Sequence, residues 1–280
     1  VNHIKDQIHC ERAYRMGLSG KGIGVAVLDT GIFLHRDFDS RVTGFADMVN
    51  RRNFAYDDCG HGTHICGIIG GSGRMSGGRY SGIAPGCNLI MVKVLDRKGN
   101  GYSSDVLAGI SWVLERKEQL GIRILNISVG ACSKRGMSEN SALVKGVNRA
   151  WDAGLVVVVA AGNNGPRTMS ITTPGISRKV ITVGCSDDDR EVLVGGNRMV
   201  DYSGRGPTAA CICKPDLVAP GCSVVSCAGR ADKYTIKSGT SMSTPIVSGA
   251  TALLLERYPD MTNKDVKLKL RESCTDIGLP

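Results

Sequence analysis

The first residue that could do chemistry is an aspartate directly after a short apolar run. Asp29 lies in residues 24–31, GVAVLDTG, and is followed by Thr and Gly. A carboxylate there can activate water together with a second carboxylate, or it can orient a histidine that acts as a base. A lone Asp-Thr-Gly most often only caps a turn. Which of these three roles Asp29 has depends on the residues that accompany it elsewhere in the chain.

Histidines that could serve as the base occur in residues 57–71, DDCGHGTHICGIIGG. We predict that His64 is the base, at the start of a short Gly-rich apolar helix, and that His61 is structural. The same segment could bind a metal, because Cys59 and Cys66 flank the two histidines. The Cys-Gly-His and His-Ile-Cys spacings are not those of zinc ligands, however, and no second paired cluster completes four ligands. We therefore predict no metal site.

A serine that could act as a nucleophile occurs in residues 238–255, SGTSMSTPIVSGATALLL. Ser241 is predicted at the start of a helix, with Pro245 in the first turns, where a missing amide proton is tolerated. There the serine oxygen has free backbone N–H groups and the positive end of the helix dipole beside it, which suits an oxyanion. An isolated serine would more simply be an N-cap. The pattern is not Gly-x-Ser-x-Gly, so a nucleophile elbow does not fit.

Strands and helices that alternate along the chain must position these residues. Apolar runs predict strands at residues 22–29, 88–95, 122–129, 155–161 and 179–185. Helices are predicted from a cap at Ser103 or Ser104 to Gly121, over residues 138–153 and 241–258, and after a capping box at Thr262 and Asp265. This order predicts a three-layer α/β fold, with a central, mostly parallel sheet and helices on both faces. We expect one domain over residues 1–280.

Composition argues against several classes of partner. The net charge is +9, but Lys and Arg are dispersed, so we predict no nucleic-acid binding. No apolar run approaches the length of a membrane span. The 11 cysteines are odd in number and scattered, which favours free thiols in a reducing compartment. We therefore expect a cytoplasmic monomer, with secretion after loss of a leader as the alternative.

Four motifs in a fixed order carry a family resemblance: VAVLDTG, HGTHICG, AAGNNG and GTSMSTP. In this order the chain resembles the subtilisin-like serine proteases over nearly its whole length, and residues 82–101 are similar to the bacterial intracellular branch. The resemblance implies a subtilisin-like fold and a serine endopeptidase that forms an acyl-enzyme. It also implies that Asp29 orients His64, and that His64 takes the proton of Ser241. Asp29 is then a histidine-orienting residue.

The resemblance further implies which residues contact the substrate. Asn163 would donate its side-chain amide to the oxyanion, together with the backbone N–H of Ser241. An extended substrate would lie between two segments: Gly99, Asn100 and Gly101, and Ser128, Val129 and Gly130. The pocket for the P1 side chain would be formed by Ser128 to Ala131 with Ala160, Ala161, Gly162 and Asn164, and with Thr172 or Thr173. Because none of these residues is acidic, we expect an apolar or mid-sized P1 residue.

No cofactor is implied for catalysis, but structural calcium has to be considered. Asp37 matches a carboxylate that many relatives use to bind a stabilising ion. The loop that would supply further ligands, residues 70–80 (GGSGRMSGGRY), departs from the family pattern and carries Arg74 and Arg79. Arginines disfavour a divalent cation, so we expect no high-affinity site there. The resemblance also implies polypeptide substrates and an inhibitory pro-segment as partners.

Two rival functions can be tested against these residues. A catalytically silent binding protein of the same fold is the main alternative, and a fluorophosphonate probe on Ser241 would distinguish it from an enzyme. An aspartic protease would need a second Asp-Thr-Gly or Asp-Ser-Gly motif, which the chain lacks.

Overall fold

A seven-stranded sheet forms the centre of the computed structural model, which describes residues 2–130 and 139–278. Its strands are β1 (Gly24–Asp29), β2 (Val42–Asp47), β3 (Asn88–Lys93), β4 (Ile122–Ile127), β5 (Val156–Ala160), β6 (Ile181–Cys185) and β9 (Leu217–Ala219). The strand order is β2-β3-β1-β4-β5-β6-β9, and each neighbouring pair is parallel. The predicted parallel sheet is therefore confirmed.

Besides the sheet, the described structure contains two short antiparallel hairpins, seven α-helices and a 3₁₀ helix (Arg74–Ser76). The hairpins pair β7 (Val192–Val194) with β8 (Asn197–Met199), and β10 (Val224–Cys227) with β11 (Tyr234–Lys237). The helices are α1 (Asn2–Gln7), α2 (Glu11–Arg15), α3 (His61–Gly70), α4 (Ser103–Arg116), α5 (Ala142–Asp152), α6 (Thr240–Arg257) and α7 (Asn263–Glu272). None of the helices in the described part of the chain is long and apolar enough to cross a membrane.

Helices cover the sheet on both faces. Every residue of β1 and of β5 is buried, which requires a layer on each side of the strand. Helices α3 and α6 pack against each other and the sheet, and α4 and α5 form a second pair that contacts β1 and β5. The continuous apolar runs in the strands are the sequence signal of this arrangement, and the three-layer prediction is confirmed.

Helix ends follow the predictions only in part. The capping box of Thr262 and Asp265 is present at the start of α7. The prediction that Ser103 or Ser104 caps α4 is wrong, because Tyr102 occupies the N-cap position and no side chain caps it. Helix α5 begins after Ser141, whose side chain accepts the amide of Val144, and the predicted start at residue 138 lies outside the described residues.

The parallel sheet brings distant segments to one edge, because the carboxyl ends of parallel strands point the same way. Asp29 ends β1, Ser128 directly follows β4, and Asn163 lies shortly after β5. Helix α6 packs against β4, β5 and β6, so its N-terminus lies over the same region. The fold thus assembles the candidate residues at this edge.

Candidate active site

Asp29 is paired with His61 at the end of β1. The Nδ1 atom of His61 lies 2.7 Å from Oδ1 and 2.9 Å from Oδ2 of Asp29. Asp29 is fully buried, and Oδ1 also accepts the backbone amide of Thr30 at 2.7 Å. Since a carboxylate only accepts, Nδ1 of His61 carries the proton, and Nε2 is left with a lone pair. This is the arrangement that a histidine base requires.

The prediction that Asp29 orients His64 is wrong. His64 lies one turn further into α3, is fully buried, and has its Nε2 atom 3.1 Å from the carbonyl of Val224 and 3.2 Å from that of Thr235. Burial lowers its pKa to about 3, helped by the charge of Lys237. A neutral, buried imidazole that donates to two carbonyls joins α3 to the β10–β11 hairpin. His64 therefore has the structural role that was predicted for His61.

The pKa of His61 is shifted in the opposite direction. Burial lowers this pKa, but the charge of Asp29 and the hydrogen bond to it raise it by more, so the net shift is upward. The side chain still exposes 23% of its surface. An accessible imidazole with a raised pKa can accept a proton and hold it beside a carboxylate.

Asp57 organises the turn that presents His61, and sequence reasoning missed it. Its Oδ1 accepts from the Thr30 hydroxyl at 2.9 Å and from the Gly60 amide at 2.7 Å, and its Oδ2 accepts from the Thr63 amide at 2.9 Å and hydroxyl at 2.6 Å. These bonds tie the segment after β1 to the first turn of α3. An aspartate just before a helix start was the available signal.

Ser241 is the second residue of α6, as the helix-start prediction required. Its side chain is partly buried, and its hydroxyl donates to the backbone carbonyl of Ser128 at 2.8 Å. A hydroxyl has one proton, so in this conformation it is not donated to His61.

Asn163 lies beside the N-terminus of α6. Its Oδ1 atom accepts from both the amide and the hydroxyl of Thr240, each at 3.0 Å. The Thr240 hydroxyl also accepts the amide of Gly162 at 3.2 Å. The two bonds to Oδ1 determine the orientation of the amide, which turns Nδ2 away from Thr240. The structure thus brings Asn163 next to the residue before Ser241.

The segments after β4 and β5, predicted to line the P1 pocket, meet at Thr172. A Cβ atom on Gly130 or on Gly162 would collide with the Thr172 side chain, so the glycines allow this close approach. Ala160 and Ala161 are buried, and the Thr172 hydroxyl donates to the Ala161 carbonyl at 3.2 Å. The remaining predicted lining residues are the buried Ser128, the partly buried Val129, the exposed Asn164, and Ala131, which lies outside the described residues.

The second predicted substrate segment is an exposed turn after β3. Gly99, Asn100 and Gly101 are all exposed. Asp96 closes the turn, since its amide donates to the Asn100 carbonyl at 2.7 Å and its side chain accepts the Asn100 amide at 2.9 Å. The turn is therefore ordered by its own hydrogen bonds while its residues remain exposed to solvent.

The surroundings of Asp37 do not fit a calcium site. The carboxylate is fully buried, and its oxygens already accept hydrogen bonds from the Met75 amide at 2.9 Å and from the Tyr234 hydroxyl at 2.7 Å. Arg74 pairs with Asp39 at 3.2 Å in the same region. Hydrogen-bond donors and a guanidinium are the opposite of the oxygen ligands that calcium requires.

The potential metal ligands in residues 57–71 do not point toward a common site. Cys59 is exposed, Cys66 is buried, and the ring nitrogens of the two histidines are directed to Asp29 and to backbone carbonyls. These contacts agree with the unsuitable ligand spacing in the sequence.

Comparisons with known proteins find one matching family and several similar chains. The sequence pattern described as the subtilase family matches residues 20–279. The chain is 42% identical to "Serine protease AprX" of Bacillus subtilis (strain 168), an alignment that covers 94% of this chain and 64% of AprX. It is 35% identical to "Thermostable alkaline protease" of Halalkalibacterium halodurans, with 98% and 68% of the two chains covered. The chain thus spans about two thirds of the length of these relatives.

Solved structures resemble the fold as well. A "cold adapted subtilisin-like serine proteinase" superposes with a TM-score of 0.74 at 31% identity, covering 91% of this chain and 83% of the other. "Sphericase" superposes with a TM-score of 0.75 at 32% identity, covering 91% and 84%.

Proposed function

Because the chain belongs to the subtilase family, we propose that it is a serine endopeptidase whose catalytic residues are Asp29, His61 and Ser241. The observation that carries the proposal is the close pairing of Asp29 with Nδ1 of His61, at 2.7 and 2.9 Å. The Asp29–His61 pair lies at the same edge of the sheet as Ser241 and Asn163.

In the proposed mechanism, Ser241 attacks the carbonyl carbon of the scissile peptide bond. Rotation about its Cα–Cβ bond first moves the hydroxyl from the Ser128 carbonyl to Nε2 of His61. His61 takes the proton as the C–O bond forms, and Asp29 stabilises the imidazolium. His61 then protonates the leaving amine, and the acyl-enzyme forms. In the second half of the reaction, water attacks the acyl-enzyme while His61 takes its proton, and His61 returns a proton to Ser241 as the acid product leaves. No cofactor takes part in these steps.

The oxyanion of the tetrahedral intermediate is held by Nδ2 of Asn163 and the backbone N–H of Ser241. Thr240 supports this role because it holds Oδ1 of Asn163 and so orients Nδ2. The positive end of the α6 dipole adds to the stabilisation. These donors are in place before the charge develops, which makes them effective.

The substrate is proposed to bind as an extended strand between the turn at residues 99–101 and the segment at residues 128–130. Rotation of Ser241 frees the Ser128 carbonyl, which can then accept a substrate amide. The P1 side chain enters beside Gly130, Gly162 and Thr172. No acidic residue is among the predicted lining residues, so we propose cleavage after apolar or mid-sized residues.

The test is hydrolysis of a mixed-sequence peptide library, with cleavage sites read by mass spectrometry. The wild-type chain should cleave after apolar or mid-sized residues and be labelled by a fluorophosphonate probe. Ser241→Ala should do neither. If the chain is labelled but cleaves without preference for such P1 residues, the pocket assignment alone is overturned. Absence of both cleavage and labelling would overturn the proposed activity.

Several earlier expectations stay predictions. They are the single domain, the monomeric state, the inhibitory pro-segment and the cytoplasmic location. Ten cysteines in the described residues are unpaired thiols, which supports a reducing compartment.

A further inference from the structure

Two cysteines and an aspartate outside the candidate active site bring their ligand atoms together. Cys185 ends β6, Asp187 follows two residues later, and Cys222 lies three residues after β9. The two sulfurs and a carboxylate oxygen all lie within 4.8 Å of one another. Cys185 Sγ lies 3.1 Å from Oδ1 of Asp187.

A buried tyrosine completes this group of polar atoms. The Tyr202 hydroxyl lies 3.2 Å from the sulfur of Cys185 and 3.1 Å from the sulfur of Cys222. Tyr202 is fully buried, and Val192, Val194 and Met199 of the β7–β8 hairpin pack around the group. Two thiols, a carboxylate and a phenol therefore share one pocket with apolar walls.

We propose that Cys185, Asp187 and Cys222 bind one thiophilic divalent cation of the zinc class. Thiolate and carboxylate ligands are those that zinc accepts, and Tyr202 or a water can fill the fourth position. Sulfurs bound to one tetrahedral zinc lie about 3.8 Å apart, and the ligand atoms of this group already lie within 4.8 Å of one another. As each sulfur bonds the ion, its thiol proton is released to solvent.

The backbone around Asp187 supports a metal-binding role. Its Oδ1 atom accepts the amides of Gly221 at 2.6 Å and Cys222 at 3.1 Å, which fixes the carboxylate against the second cysteine. Bonds of this kind orient ligands at metal sites. Asp187 is partly exposed, so the ion can enter from solvent.

A second group of potential ligands, His35, Asp37 and Cys227, is less suited. Nδ1 of His35 accepts the Asp37 amide at 3.1 Å, and its Nε2 lies 3.1 Å from the Lys233 carbonyl. Cys227 Sγ does lie 3.7 Å from Oδ2 of Asp37, but both ring nitrogens of His35 have backbone partners. The sulfurs of Cys185 and Cys222, by comparison, contact the Asp187 carboxylate and the Tyr202 hydroxyl.

The proposed site is connected to the start of the catalytic helix. The carbonyl of Gly221 accepts the amide of Gly239 at 3.0 Å, two residues before Ser241. A Cβ atom on Gly221 would collide with the side chain of Ser243 in α6 and lie 2.8 Å from the sulfur of Cys185. A bound cation would therefore stiffen the segment that supports the N-terminus of α6.

The test uses the reduced, metal-free 280-residue chain with Ser241→Ala, which prevents self-digestion. Cobalt(II) is added as a spectroscopic substitute for zinc. We expect a thiolate-to-cobalt charge-transfer band that saturates at one equivalent and is lost when zinc is added. Cys222→Ser should abolish the band. The matched control is the double variant Cys211→Ser and Cys213→Ser, which removes two exposed thiols and should retain it.

Three results of the cobalt titration would overturn the proposal. They are no band at one equivalent, a band that survives Cys222→Ser, and a band that depends on Cys211 and Cys213. If Cys222→Ser fails to fold, X-ray absorption spectroscopy of the zinc-loaded Ser241→Ala chain tests the site instead. Two sulfur ligands at about 2.3 Å from zinc are expected, and any other number of sulfur ligands contradicts the site. A disulfide between Cys185 and Cys222 in the isolated protein, detected by mass spectrometry after alkylation, would also refute it.

Discussion

His61 and His64 lie three residues apart in one helix, yet their environments are opposite. His61 exposes 23% of its side chain and contacts the carboxylate of Asp29. His64 is fully buried and contacts two backbone carbonyls. The pKa of His61 is raised, whereas that of His64 is lowered to about 3. The first position thus has the environment that the proposed base requires, and the second has that of a packing residue.

The difference arises from what each side chain faces. Three residues of α-helix turn through about 300°, so the two side chains leave the axis about 60° apart. This rotation directs His61 to the end of β1 and His64 to the β10–β11 hairpin. The environment of a histidine in this motif is therefore set by the element that its side chain faces.

The largest expected effect is on catalysis after removal of one imidazole. His61→Ala should lower kcat by about 10⁶-fold, which is the order known for a triad histidine in subtilisins. His64→Ala should leave the kcat per active site near the wild-type value, because His64 contacts only backbone carbonyls. Peptide hydrolysis with active-site titration measures both.

The reverse outcome would support the prediction from the sequence that His64 is the base. If His64→Ala abolished turnover in a folded protein while His61→Ala did not, His64 would be the base, and Asp29 would merely hold a structural histidine. Circular dichroism on both variants provides the folding control.

The second prediction extends the comparison to the oxyanion. Asn163→Ala should lower kcat by about 10²–10³-fold with little change in KM, because its Nδ2 would bind charge that exists only in the transition state. Asn164→Ala, one residue later and on an exposed position, is the control and should affect KM more than kcat. Equal losses in kcat for the two variants would contradict the role of Asn163.

The sequence alone predicted the position of a residue where that position depends on one local element. Asp29 follows an apolar strand, Asn163 follows the buried run of β5, and Ser241 begins a helix, so each position depends on one element and its end. The parallel sheet was predictable for the same reason, because apolar runs alternate with helical spacing. The sheet edge then brings these ends together.

Long-range packing was not accessible in the same way. His61 and His64 differ only in the strands they face, and the β10–β11 hairpin lies 160 residues beyond His64 in the chain. The apolar residues directly after His64 were the one available hint of its burial. Similarly, the sequence did not indicate that Cys185 and Cys222 lie close together, because their proximity depends on the pairing of β6 with β9.

The third prediction concerns stability, where the larger effect is expected for His64. In a Ser241→Ala background, His64→Ala should lower the free energy of unfolding by about 2–4 kcal/mol, because it leaves a cavity and removes the donor to the Val224 and Thr235 carbonyls. His61→Ala should cost less, since its ring is partly exposed. Urea unfolding measures both, and a larger loss for His61→Ala would contradict the assigned environments.

The smallest effect is a pH dependence of stability with opposite sign for the two histidines. The folded-state pKa of His64 is lowered from 6.5 to about 3, so the stability it contributes is present above pH 6.5 and is lost as the pH falls. The slope is roughly 1.4 kcal/mol per pH unit. The folded-state pKa of His61 is raised, so its contribution is complete below pH 6.5 and is lost as the pH rises through that pKa.

Urea unfolding of Ser241→Ala at several pH values, with and without His64→Gln, separates the two contributions. Gln keeps an N–H donor for the carbonyls but does not titrate, so the variant should lose less stability than its parent between pH 6.5 and about 5. Above pH 6.5 both proteins should show the same decline, because both retain His61 and Asp29. Identical curves below pH 6.5 would mean that His64 does not resist protonation, and the opposition between the two histidines would then rest on geometry alone.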